Sequence, residues 1–255
     1  MIINHNLNAM NAHRNSNLNT TATGKSMEKL SSGLRINRAA DDAAGLSISE
    51  KMRGQIKGLN QAQRNVQDGI SYIQTAEGAL NEVSDMLTRM KELTVQKANG
   101  TYQTADKTNL ELEMTQLGEQ MDKIIKDTKF NGQEVFKGTI DIVVTDLDTD
   151  VLKVGTTLNS LNLKAASTTT EVETAIDNVN TARSTFGAHQ NRLEYTANNL
   201  GTTSENLTAS ESRIRDTDMA QEMTKFSSKN IITQASQAML AQANQMQQNV
   251  LSLLR

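Results

Sequence analysis

The chain has 255 residues, 22% of them charged, with a formal net charge of −3. That leaves room for one or two domains and no basic footprint for nucleic acid. It contains no Cys, Pro or Trp, which excludes a disulfide framework and thiol chemistry and permits very long uninterrupted helices.

Residues 1–24 carry a single formal charge, Arg14, and seven Asn between Asn4 and Asn19. Ile3, Leu7 and Met10 have helical spacing, with Leu18 further on, so the stretch is expected to be a helix rather than a disordered polar tract. MIINHNLNAMNAHR has no basic stretch followed by an apolar one, so no cleavable signal peptide is expected. Met27, Leu30 and Leu34 carry the apolar stripe towards Gly33 and the segment LRINRAADDAAG. That segment holds Arg35, Arg38, Asp41 and Asp42, is closed by Gly45, and reads as a polar joint. Adjacent carboxylates do not converge on one point, so Asp41 and Asp42 are expected to cap a helix or pair with Arg35 and Arg38, not to work as an acid/base couple.

Ser47 and Glu50 form an S-x-x-E capping box, which predicts a helix start at 47. Met52, Leu59, Val66, Ile73, Leu80 and Leu87 then recur every seven residues, the repeat of coiled-coil packing. One helix over 47–98 would be roughly 75 Å long, too long for the core of a compact globule. Asn99-Gly100-Thr101 is a turn signal. Leu110, Met114, Leu117, Met121 and Ile124 predict a second amphipathic helix over about 104–128, folded back on the first. Phe130-Asn131-Gly132 breaks the pattern. The β-branched runs Ile140–Thr145 and Val151–Val154, around an acidic loop, predict a β-hairpin within a non-helical region at about 130–168.

Thr170 and Glu173 suggest another capping box, and Val172, Val179, Phe186, Leu193, Leu200, Leu207 and Ile214 predict a third long helix over about 171–211. Ser212–Asp218 is a second polar joint. The last stretch, Ile231–Arg255, has one charge, at Arg255. Ile232, Met239, Met246 and Leu253 recur every seven residues, and Ala235, Ala238, Ala243 and Val250 widen the stripe. Its back is made of Gln, Asn, Ser and Thr, amides and hydroxyls suited to meeting other polar protein surface. The stretch is too rich in Gln to span a bilayer.

The chain is thus nearly palindromic in type: a neutral terminal helix, a polar joint and a long heptad helix from either end. The simplest packing sets the two ends side by side. Such a pair would expose much adhesive surface in isolation, so its helices are expected to be disordered or chaperoned in the monomer and to order on assembly.

No chemistry-bearing constellation stands out. His5, His13 and His189 have no metal-ligand spacing. Asp146, Asp148 and Asp150 imitate the opening of a calcium loop, but Val151 and Thr157 occupy the positions that need Gly and Glu. Gly54-x-x-x-Gly58 lies in a charged helix, unlike a membrane dimer motif. The twelve Met suit helix-interface packing. The expectation is a structural protein: no enzyme, no cofactor, no metal.

Several blocks together resemble bacterial flagellin: MIINHNLNAMNAHRN, KSMEKLSSGLRINRAADDAAGLSISEKMRGQIKGLNQAQRN, DGISYIQTAEGALNEV, LTRMKELTVQKANGT, NRLEYTANNL, SRIRDTDMAQEM and QASQAMLAQANQ. The resemblance implies a mainly α fold: a long antiparallel coiled-coil helical rod with a small β-hairpin, plus a terminal-helix coiled-coil domain. It implies a core domain over 1–43 and 215–255, and a rod domain over 44–214 with about 40 residues where larger members insert outer domains. The implied function is a secreted, self-polymerising subunit of the extracellular flagellar filament. The alternatives are a hook–filament junction protein of the same family or a secreted helical protein acting on host cells. Implied partners are further copies of the chain, an export chaperone on the C-terminal helix, the export apparatus, the filament cap and hook-junction proteins. A host Toll-like receptor is a further implied partner, through Arg89, Leu93 and Glu113; within the bacterium Leu93 reads as rod core and the two charges as solvated or subunit-facing. Ile3, Leu7, Met10, Ile232, Met239, Met246, Val250, Leu251 and Leu253 are the candidate polymerisation interface.

Overall fold

The computed structural model describes residues 6–147, 150–158, 161, 163 and 167–253. The architecture is mainly α. Helices α1 (Leu7–Ser32), α2 (Ala43–Ala98), α3 (Thr104–Asp127), α4 (Thr169–Arg215) and α5 (Met219–Leu253) enclose a small β region between α3 and α4. The chain forms two compact units, Met1–Gly54 with Leu207–Arg255, and Gln55–Asn206. Both boundaries fall inside helices, so α2 and α4 contribute to each unit.

In the Gln55–Asn206 unit the heptad residues do what their spacing requires. Val66, Ile73, Leu80 and Leu87 of α2 and Val172, Val179, Phe186 and Leu193 of α4 are buried. The two helices run antiparallel, with Ser204 Oγ donating to Asn60 Oδ1 at 3.0 Å and Lys91 paired with Glu173 at 3.0 Å. Helix α3 folds back on α2 after the Asn99-Gly100 turn, and Lys97 meets Glu111 at 2.7 Å. Its buried face is Met114, Gly118, Met121 and Ile125. Leu110, Leu117 and Ile124 from the predicted stripe are only half-buried, so the inward face is turned slightly from the expected one.

The predicted hairpin is present as β3 (Thr139–Val143) and β4 (Val151–Gly155), antiparallel with Ile140 opposite Val154 and Ile142 opposite Leu152. A second, two-residue ribbon, β1 (Lys129–Phe130) with β2 (Gln133–Glu134), was not expected. Its turn is Asn131-Gly132, with φ of 49° and 81°. Asn and Gly adopt this left-handed pair of conformations at least cost, and it matches strand twist, so the dipeptide makes a hairpin where the sequence reading saw only a break. The ribbon leads into Val135 and Phe136, both buried. Tyr72 of α2 donates its hydroxyl to Val135 O at 2.8 Å, and Phe136 stacks edge-on with Phe186 at 6.5 Å.

The helix starts differ from expectation for local reasons. Helix α2 begins at Ala43, ahead of 47, because Asp42 Oδ1 accepts from Gly45 N at 2.8 Å and caps the first turn. Ser47 and Glu50 therefore lie inside the helix, and Gly45 belongs to its first turn rather than ending the joint. The capping box of α4 is Thr168 with Glu171, two residues before the expected pair: Glu171 Oε2 accepts from Thr168 N at 2.9 Å, and Thr168 Oγ1 accepts from Glu171 N at 3.4 Å.

Gly118 faces the backbone of the segment after β4. A Cβ there would sit 2.1 Å from Leu163 O. A backbone carbonyl cannot rotate away as a side-chain tip can, so Gly118→Ala is expected to lower stability by about 1–3 kcal/mol or to lift Leu163 off α3. Thermal melts of the two proteins check this; unchanged melting would mean that the crossing segment yields freely.

Candidate assembly surface

Helices α1 and α5 pack antiparallel, and the apolar stripe of α5 does not form their seam. Glu222, Phe226, Lys229, Thr233, Ser236, Leu240 and Ala243 form the less exposed face of α5. They step by four and three residues, a heptad seam. Opposite them on α1 lie Ala9, Ala12, Ser16, Asn19, Thr23 and Ser26. The contacts across the seam are mostly polar. Asn6 Nδ2 donates to Ala243 O at 3.0 Å while its Oδ1 caps α1 through Ala9 N. Asn19 Nδ2 donates to Ser236 Oγ at 3.4 Å. Lys229 Nζ donates to Ala22 O and Ser26 Oγ, each at 3.4 Å. Ser26 and Glu222 are both buried in the seam, at 1% and 6% exposure.

The apolar heptad of α5 is displaced three residues from this seam and points away from α1. Leu7, Met10, Ile232, Met239 and Met246 are between 46% and 67% exposed. Small and polar side chains let the backbones approach, and the large apolar ones are left outside. Because Asn6 meets Ala243, Leu7 and Met10 stand beside the Met239–Met246 stretch. Leu18, Met27, Met219, Met223 and Ile231 are exposed in the same unit. Ile3 lies outside the described residues, as do the side chains of Val250, Leu251 and Leu253.

At the base of this pair the two polar joints clasp each other. Arg35 N donates to Arg215 O at 2.6 Å and Thr217 N to Gly33 O at 3.0 Å, around an antiparallel bridge between Leu34 and Asp216. The Arg35 guanidinium holds Ile214 O, and Arg215 Nη1 reaches Glu50 Oε1 at 2.5 Å. Asp42 caps α2, as one of the two expected roles has it, whereas Asp41 accepts from the backbone N–H groups of Asn37 and Arg38 within the joint itself. Arg38 pairs instead with Glu28, at 2.9 Å.

These carboxylates hold their protons weakly. The Arg215 hydrogen bond lowers Glu50 despite some desolvation, and backbone N–H groups lower Asp41. At Glu222 desolvation pushes upward, but Ser26, Lys225 and Lys29 outweigh it and leave the carboxyl below its usual range. A folded-state value below the unfolded one binds fewer protons, so this stabilisation is complete above the ordinary carboxylate range and is lost as pH falls through it. The α1–α5 pair is expected to loosen below about pH 4, and Glu222→Gln to flatten that dependence. Circular-dichroism melts across that range check this; a pH-independent terminal unit would contradict it.

The implied receptor residues sit in the other unit. Arg89 bridges Glu92 and Glu113, both at 3.1 Å, on the surface. Leu93 is wholly buried. Only the two charges are therefore within reach of a partner in this structure. Among the described residues no cluster of His, Asp or Glu could hold a metal ion, and no helix is long and apolar enough to cross a membrane.

Residues 3–141 match the model of the bacterial flagellin N-terminal helical region, and residues 169–254 that of the C-terminal helical region. The chain belongs to the bacterial flagellin family. It is 54% identical to a flagellin of Halalkalibacterium halodurans and 46% identical to a flagellin of Bacillus subtilis, each alignment covering 100% of both chains. Among solved structures it is similar to the crystal structure of Bacillus cereus flagellin, with 32% identity and a TM-score of 0.49 over 54% of this chain and 88% of that one. The family models take in both terminal helices and the joints. The seam residues Ser26, Glu222 and Lys229 lie within them and escaped the sequence reading, because single polar residues beside Met219 and Met223 look like a solvated edge. The seven-residue spacing of Glu222 and Lys229 with Ser236 and Ala243 was the available signal.

Proposed function

We infer that this flagellin is the structural subunit of an extracellular flagellar filament and polymerises through its α1–α5 unit. The observation that carries the assignment to that unit is the displaced stripe. A two-helix element that keeps its large apolar residues outside its own seam has prepared them for another surface. Burial of each such side chain is worth about 1.5–3 kcal/mol, so five supply on the order of 10 kcal/mol per subunit before ordering costs. One neighbour cannot cover outward faces on both helices, whereas copies arranged around an axis can. The relatives described above are themselves flagellins, which favours the filament subunit over a hook–filament junction protein. Leu7, Met10, Ile232, Met239 and Met246 are the interface residues in this reading, with Ile3, Val250, Leu251 and Leu253 continuing the stripes by sequence.

The seam of small side chains gives the pair little stability of its own, so it forms in the monomer but opens readily, and assembly holds it shut. Before then a chaperone covers the C-terminal helix, and the chain leaves the cell unfolded through the flagellar export apparatus to meet the cap and junction proteins. Recognition by a host Toll-like receptor would use Arg89 and Glu113, with Leu93 supporting them from the core.

Electron microscopy of the purified chain after salt-induced assembly tests the reading. Long hollow fibres are expected; short closed rings would favour the junction protein, and no polymer would reject both. Hydrogen exchange should show residues 6–32 and 219–253 poorly protected in dilute monomer and protected in the fibre. Equal protection in both would remove the ordering step.

A further inference from the structure

The polar contacts across the terminal seam have a role beyond holding two helices together. A seam of Ala, Ser and Thr is nearly featureless: small side chains interlock poorly, so packing alone distinguishes weakly between one facing of α5 and another. The competing facing is obvious. A modest turn of α5 about its axis would bring Ile232, Met239 and Met246, three residues along from Lys229, Ser236 and Ala243, against α1. The hydrophobic effect favours that turn, since it would hide side chains now 46–67% exposed. Something must oppose it. The one charged group of the seam that is buried is Glu222, 6% exposed, against Ser26, 1% exposed. Lys229, one heptad further along, donates to the same Ser26 hydroxyl. Lys225 lies 3.5 Å from Glu222 at the solvent edge.

We propose that Ser26, Glu222 and Lys229 form a facing pin, which locks the rotation of α5 on α1 so that its apolar heptad stays outward. Turning α5 would break the Lys229–Ser26 hydrogen bond and press the buried Glu222 carboxylate against apolar protein, a cost that offsets the apolar gain. A polar residue at a core heptad position is a known means of choosing one helix arrangement at the expense of stability. The pin acts within a single chain, so it stands or falls separately from the filament reading.

The absence of Cys makes the test clean. In the full chain, the pair Asn19→Cys with Ser236→Cys reports the observed facing, and Asn19→Cys with Met239→Cys reports the turned one. Disulfide formation in dilute monomer should strongly favour the first pair. With Ser26→Ala and Glu222→Leu added, that preference should fall by about tenfold or more, the equivalent of one charge-assisted hydrogen bond. Helix content by circular dichroism should not change. Glu222→Gln, which keeps a polar group of the same shape in the seam and leaves the Lys229–Ser26 bond intact, should keep the original preference. An unaltered preference in the double substitution would overturn the pin. So would loss of helix with no preference for either pair, because the cluster would then supply stability rather than facing.

Discussion

Met239→Asp is expected to abolish filament growth while leaving the monomer folded. Met239 is 67% exposed and lies off the α1–α5 seam, so a carboxylate there meets only water in the free chain. In a polymer the same position would be enclosed, and an unpaired charge taken from water into an apolar contact costs several kcal/mol at every subunit added. Deleting residues 231–255 should have the same outcome by removing the stripe altogether. Sedimentation and electron microscopy after salt addition read the effect, with circular dichroism confirming that the heptad core of the other unit persists. Growth of either variant at the normal rate would mean that the polymer is held by surfaces other than the terminal helices.

Leu93→Ala should be the most damaging single change near the implied receptor site, and for a reason unrelated to any receptor. Leu93 is fully enclosed beside Met90 and Thr94, which are also buried. Truncating a buried Leu costs about 2–5 kcal/mol, which for a unit of this size lowers the melting temperature by roughly 5–20 °C. Arg89→Ala and Glu113→Ala should each change stability by less than about 1 kcal/mol, because their ion pair is exposed to solvent. Calorimetry separates the three. If a receptor assay loses signal with Leu93→Ala in step with melting, Leu93 acts as support; if signal falls with stability intact, it makes a contact after opening.

Long heptads were the most legible part of the sequence. Val66 to Leu87 and Val172 to Leu193 each bury a straight line of side chains, and a repeat of that length has one physical solution. Helix starts were less legible, because Ser47 and Thr170 offer plausible caps while Asp42 and Thr168 reach the free N–H groups first. The Asn131-Gly132 ribbon was missed although its turn residues announce it, since two-residue strands leave no alternating pattern to notice. The α1–α5 seam was half legible. The apolar stripe of α5 could be seen, but not its direction. An apolar heptad normally faces the nearest partner helix, and only the offset repeat of Glu222, Lys229, Ser236 and Ala243 reveals that the nearest partner takes another face.

Three side chains of the outward stripes, Met10, Met239 and Met246, are thioethers open to water in the single chain. Oxygen transfer to such a sulfur gives a sulfoxide, which turns a soft apolar group into a polar, chiral one. In the proposed fibre, subunits that meet peroxide before joining would arrive with a blunted adhesive face, whereas those already inside it would be shielded. Fibre length in a culture under oxidant should therefore depend on when each subunit was exposed, and reductase treatment of free subunits should restore their growth.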